Sequence, residues 1–365
     1  MLMATLSLLF TAVLSTFGTG LIINAILENR AAQTTSFDLF IGSGRTEADF
    51  EEYLTFIHEN IPLKEEWQYE IYLGEDARVL DYVTEHTEYY RYYPRDVLMK
   101  QSDYAKLRRM LGYPEAELRP GEYVIHCMSY LKNLLTEYRP VLAAGEETLT
   151  FGGFYTEYFN QYLWDGNGLG YLLVVPDEAV RELTVSHSIY AAMTEEEVGK
   201  EQCEELDHIR DRRAEESDVY DTLYIESRIK EETAASSALF VFPLYYLALM
   251  LTMTAATILT IQQLAETGRF QHQFGLLEKL GMDRREMAGT LRKQLALYYT
   301  LPALPSVIIS VPFILNLGKS AEPGLMVGHS HPLAVVGAAL GLFLLIYLIY
   351  IVMAYVSLRR SVLRD

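Results

Sequence analysis

Charge is partitioned so sharply along this chain of 365 residues that the partition decides what it can fold into. Residues 2–27, 238–261, 295–317 and 333–356 contain no Asp, Glu, Lys, Arg or His. Each stretch reaches the roughly 20 residues that a helix needs to cross about 30 Å of hydrocarbon. A backbone facing lipid satisfies its own polar groups only as a helix or a closed barrel. The sequence therefore predicts a membrane protein with four transmembrane α-helices, over 1–28, 236–262, 295–317 and 333–356.

The remaining residues assign the two sides. Residues 28–237 hold 43 of the 49 acidic side chains and 20 of the 30 basic ones, a net charge of −23, while the rest of the chain sums to +4. Lys and Arg in short flanking loops mark the cytoplasmic side. The loop 263–294 carries Arg269, Lys279, Arg284, Arg285, Arg292 and Lys293, and the tail 357–365 carries Arg359, Arg360 and Arg364. Both are expected in the cytoplasm, with both termini. The loop 318–332 has only Lys319 and Glu322, which puts it outside with the acidic domain 29–235. The first run lacks a basic start, and Ala31-Ala32 makes a poor cleavage site, so it reads as an anchor rather than a cleaved leader. It begins at Met1 with no preceding cytoplasmic segment, so a half or a fragment of a longer membrane protein is one expectation.

The outer domain is expected to be α+β. Residues 37–41 alternate like a strand, 69–73 and 123–126 read the same way, and 170–176 is an apolar run closed by Pro176, as in a buried strand. Residues 47–58 fit a helix with Phe50, Leu54 and Ile57 on one side. Residues 194–216 fit a charged helix capped by Thr194, with Glu197 at the capping-box position. The tyrosines, 27 in all and clustered at 89–90 and 92–93, are read as packing residues before any aromatic binding surface. The acidic excess would attract cationic peptides, and it would equally serve solubility. Cys127 and Cys203 leave a disulfide and two buried thiols as alternatives.

One cytoplasmic segment, residues 269–286, has its own local grammar. Gly281 suits the left-handed position after a helix end, because it has no Cβ to clash there. Asp283 suits the N-cap of a following helix, Glu286 completes a capping box, and Met282 and Met287 occupy the two staple positions. Phe274 with Leu277, and Leu276 with Leu280, give the first helix an apolar stripe in need of a partner.

Enzyme chemistry finds no support. Gly318-Lys319-Ser320 resembles the end of a phosphate-binding loop, but Phe313 stands where the required glycine should be. Residues 166–170 precede a strand, so they read as a turn rather than a phosphate cradle. His329 and His331 lack a nearby third ligand, and loop histidines are usually solvated. The four runs also hold no Asp, Glu, Lys, Arg or His to line a polar path. Pro302, Pro305 and Pro312 are read as a static kink before a hinge.

One span, a large outer domain, then three spans with a basic loop after the second: this layout resembles the FtsX-like permease family of ABC transporters. Residues agree too. Ile258-Leu259 with Gln262-Gln263-Leu264, then 275–282 with Arg284-Arg285-Glu286, then Arg292-Lys293-Gln294 followed by Leu301-Pro302, are similar to the bacitracin-type peptide-antibiotic permeases. Ser102-Asp103-Tyr104 with Leu107, and residues 118–124, are similar more weakly. The resemblance implies a multi-pass protein of the bacterial plasma membrane whose loop is a coupling helix docked on a separate ATPase. Carried over, Phe274, Leu276, Leu277, Leu280 and Met282 form the docking face, Gly281 the turn, and Glu278, Lys279, Arg284 and Arg285 the polar rim. ATP would be bound by that partner, with no cofactor in this chain. Six further spans found in the peptide-antibiotic permeases are missing here, so a second permease half, identical or not, is expected, along with membrane lipid and a sensor histidine kinase as candidate partners. No nucleic-acid partner is expected. Two functions follow from the resemblance: ATP-driven action on antimicrobial peptides or lipid-linked molecules, or signalling that regulates cell-wall hydrolases without transport.

Overall fold

A computed structural model of the chain describes residues 2–34, 36–44, 50–87, 91–116, 118–144, 147–160, 168, 170–216, 221–320 and 332–362. It divides into two units, Glu28–Ala234 and the combination of Met1–Leu27 with Ala235–Asp365.

The first unit is built on a nine-stranded sheet. Its strands are β1 (Leu39–Ser43), β2 (Leu63–Leu73), β3 (Val97–Lys100), β4 (Glu122–Cys127), β5 (Leu142–Ala144), β6 (Glu147–Tyr155), β7 (Tyr171–Val175), β8 (Thr184–Thr194) and β9 (Thr222–Ile225). In space they run β5-β6-β4-β7-β3-β2-β8-β1-β9. The pairs β4/β6 and β3/β7 are parallel and the others antiparallel. Side chains along a strand point to alternate faces, and here both faces are covered. Tyr171, Leu173 and Val175 of β7 pack with α3 (Arg78–His86) and α5 (Ser129–Glu137), whereas Leu172 and Val174 pack with α4 (Gln101–Met110). This is why 170–176 reads as an unbroken apolar run. At the other end of the sheet Leu39, Ile41, Tyr190, Ala192, Leu223 and Ile225 meet α2 (Glu51–Asn60) and α6 (Lys200–Glu216).

Local anchors explain where elements start. Asp96, from the segment before β3, accepts the N–H groups of Val79 and Leu80 at 3.1 and 2.8 Å, and so caps α3 from a distance, while its Oδ1 also takes the Tyr171 hydroxyl at 2.7 Å. The helix expected over 194–216 starts only at Lys200. Thr194 ends β8 instead, because Asp38 accepts both its N–H, at 2.7 Å, and its hydroxyl, at 3.1 Å. Gln202 supplies the real start signal by accepting the Gly199 N–H at 2.7 Å. Cys127 and Cys203 are free and buried in separate clusters, so the thiol alternative holds. Tyr53, Tyr104, Tyr123, Tyr171 and Tyr190 are fully buried, in keeping with packing roles. Tyr89 and Tyr90 lie outside the described residues.

The second unit holds most of α1 (Leu2–Thr34) and α7 (Glu226–Lys279), with α8 (Arg284–Ser320) and α9 (Pro332–Val362). All four are long and apolar enough to cross a membrane. Each overruns the uncharged stretch that announced it. For α7 the reason is composition, since the Gln, Glu, Ala and Leu residues after Ile261 are strong helix formers that propagate a helix already nucleated. α8 runs through Pro302, Pro305 and Pro312 as one helix.

Small and hydroxyl side chains seat α1 on α8. The Ser306 hydroxyl lies 2.9 Å from the Ser7 carbonyl and 2.9 Å from that of Pro302. Ser310 lies 3.3 Å from the Thr11 carbonyl and 3.2 Å from the Ser15 hydroxyl. Gly18 continues the row, and a Cβ there would fall 2.3 Å from Ile314 Cδ1. Close approach through such residues, with hydroxyl bonds across the seam, is how helices associate where burial from water supplies no drive.

Candidate functional site

The break between α7 and α8 is a complete helix stop. Gly281 takes φ +91. Its N–H donates to Glu278 O at 3.0 Å, and the Met282 N–H reaches back to Leu277 O at 3.2 Å. These two bonds satisfy carbonyls that the helix end leaves orphaned, and the side chains of Leu277 and Met282 pack against the same apolar cluster, the contact that often accompanies this motif. The next helix starts at once. Asp283 O accepts the Met287 N–H at 3.0 Å, which puts Asp283 at the N-cap. Met282 and Met287 both lie in that cluster, as a hydrophobic staple should.

The apolar stripe divides in two. Phe274 is 3% exposed and belongs to the apolar cluster that also holds Met287, Leu291, Leu295 and Leu358, with Leu277 and Met282 partly buried against that cluster. These three close the inside of the turn, so they are supports rather than a free face. Leu276 and Leu280 point the other way, 49% and 83% exposed. Glu278, Lys279 and Arg285 are exposed around them. The free surface is thus two leucines within a charged rim. Arg284 contributes the first residue of α8.

Met287 and Leu291, which hold the turn from below, were not among the expected site residues. The staple position marks Met287 in the sequence, and the i, i+4 spacing that puts Leu291 on the same face of α8 is the only signal for Leu291. Further ties brace the same end of the unit. Gln263 Nε2 donates to Ala354 O at 3.0 Å, the Tyr298 hydroxyl lies 3.4 Å from Glu266, and the Arg292 guanidinium stands 5.9 Å from the Tyr355 ring.

No set of three or more His, Cys, Asp or Glu side chains suited to a metal occurs among the described residues. His329 and His331 lie outside them.

No family model matches the chain, and no curated protein matches it. Among solved structures it is similar to the crystal structure of a "Putative Lipoprotein from Bacillus anthracis", at 8% identity and a TM-score of 0.29, over 47% of this chain and 92% of that one. A likeness of that size assigns neither fold nor activity.

Proposed function

We propose that the chain is the permease subunit of an ABC-type system in a bacterial plasma membrane. In this reading α1, α7, α8 and α9 span the bilayer, the sheet unit lies outside, and the Gly281 turn faces the cytoplasm with both termini. The turn docks on a separate ATPase, and ATP-driven motion passes to the sheet unit, acting on antimicrobial peptides or lipid-linked substrates. A second permease half completes the assembly.

The observation that carries this reading is the pair Leu276 and Leu280, exposed on a turn whose backbone bonds and inner side are both satisfied. Large apolar side chains on so well-specified a support make an anchor for a groove, since little ordering remains to oppose binding. Positive-inside charge supports the orientation. The absence of Asp, Glu, Lys, Arg and His from the four runs favours transmitted motion over a polar pore.

The test is copurification of an ATPase with tagged protein from the native membrane. Leu276→Asp with Leu280→Asp should abolish it while the protein inserts and folds normally, because neither side chain supports the turn. Normal ATPase capture by that double variant would overturn the docking role.

A further inference from the structure

We infer that the free edge of β2 over residues 64–68 is a strand-addition site for an extended basic segment of another polypeptide. This holds whether or not the chain is a permease, since it needs only the sheet unit.

The edge follows from the topology. On one side β2 pairs with β8 from Leu63↔Thr194 to Leu73↔Thr184, with register shifts at Lys64 and between Ile71 and Tyr72. On the other it pairs with β3 only at Tyr72↔Leu98 and Leu73↔Val97, because the chain leaves β3 after Lys100 to form α4. Among the described residues no strand covers Leu63 to Gln68 on that side. Backbone groups of a strand address its two edges in turn, so part of this segment's N–H and C=O groups face an edge that no strand among the described residues occupies. Lys64, Glu65, Glu66, Trp67 and Gln68 are all exposed.

The side chains flanking this edge are already fixed. On one face Glu65 meets Lys106 at 2.9 Å, and Trp67 Nε1–H donates to Asp103 Oδ1 at 3.0 Å, which holds the indole as a shelf 37% exposed. On the other, Glu66 takes the Tyr190 hydroxyl at 2.6 Å and lies 2.9 Å from His58 Nε2. A partner strand would therefore lose its own entropy but cost little here. β2 carries the carboxylates Glu65, Glu66 and Glu70 against Lys64, within a segment of net charge −23. Residues on an added strand would sit about 5 Å from those of β2, where opposite charges stabilise and like charges repel. That selects Lys and Arg beside the glutamates. It disfavours a second copy of this chain, which would set glutamate against glutamate.

Full-length protein in lipid nanodiscs provides the test. Its two tryptophans are Trp67 and Trp164, so Trp164→Phe leaves Trp67 as the sole indole reporter. The probe is a blocked hexapeptide of alternating Lys and Val, compared with the same peptide N-methylated at alternate amides and with a Glu-Val analogue. Binding of the Lys-Val peptide should shift Trp67 emission and slow amide exchange within 64–68. N-methylation, or Glu66→Lys in the protein, should each weaken it about tenfold or more, a loss of roughly 1.4 kcal/mol. Equal binding of the N-methylated peptide would reduce the effect to charge attraction and overturn strand addition. So would protection elsewhere in the sheet, or protection of 64–68 that rises with protein concentration alone, which would assign the edge to a second copy.

Discussion

Arg108 and Glu157 meet through two parallel contacts, Nη1 to Oε2 at 3.2 Å and Nη2 to Oε1 at 3.1 Å, although the arginine side chain has no exposed surface. Its guanidinium also lies 4.5 Å from the Tyr155 ring and 5.4 Å from that of Tyr113, and its Nε donates to Pro114 O at 2.8 Å. Every face of the buried cation is thus answered.

Removing one partner from such a pair costs more than the pair contributes, because the other charge stays behind. Here the two sides differ. Glu157 is 34% exposed and can turn to water, whereas Arg108 cannot. Glu157→Ala should therefore destabilise the sheet unit by about 3–5 kcal/mol, and more than Arg108→Met does. Thermal unfolding followed by near-UV circular dichroism ranks them. The reverse order would show that arginine packing on the tyrosines outweighs its charge.

His126 gives the same network a pH dependence. Its Nε2 lies 2.9 Å from the Glu157 carbonyl, which can only accept, so Nε2 carries the proton and Nδ1 takes the Tyr104 hydroxyl at 2.6 Å. Burial pushes its pKa down from 6.5 to about 4. The unfolded chain then binds the proton more readily than the native one between these values, so stability from neutral His126 is present above pH 6.5 and is lost as pH falls toward 4. The full effect is about 3 kcal/mol. Unfolding midpoints between pH 7 and 4.5 should fall more steeply for the wild type than for His126→Asn. Parallel slopes would remove His126 as a source of acid sensitivity.

What the sequence showed depended on how local the cause was. Gly281, Asp283 and the two methionines act within six residues of one another, and the turn was legible to the residue. The buried strand β7 was legible because both faces demand apolar side chains. Thr194 misled because a threonine followed by glutamates looks like a helix start, and what overrides it is Asp38, 156 residues away. The stripe on α7 was visible as apolar, but which half faces inward depends on Met287, Leu291 and Leu358, which no helical periodicity in α7 reports. Nor does any local pattern mark Arg108 as buried, since its partner lies 49 residues on.

Packing of α1 on α8 is sensitive to a single methyl group. A Cβ at Gly18 would lie 2.3 and 2.7 Å from Ile314 Cδ1 and Cγ1, and Ile314 is itself 1% exposed, with little room to withdraw. Gly18→Ala should destabilise the helical unit by about 1–3 kcal/mol through overpacking. Ile314→Ala, which opens space at that point, should recover part of the loss when combined with it. Unfolding of the two single variants and the double variant in detergent measures the coupling. Strictly additive effects would mean that the helices separate to admit the methyl.

Gly281 tests the turn without touching its surface. No atom lies within 4 Å of a Cβ placed there, so a substitution meets no neighbour and its cost is that of holding an L-residue at φ +91. That cost is about 1–2 kcal/mol for alanine, and less for asparagine, which tolerates left-handed backbone. Gly281→Ala should lower the unfolding midpoint of the helical unit and, under the proposed docking on an ATPase, reduce ATPase capture with it, because the same strain that frays the turn reorients Leu280. Gly281→Asn should retain most of both. Full ATPase capture by Gly281→Ala, with its stability loss confirmed, would separate docking from the geometry of this turn and leave the leucines as an anchor that adapts on binding.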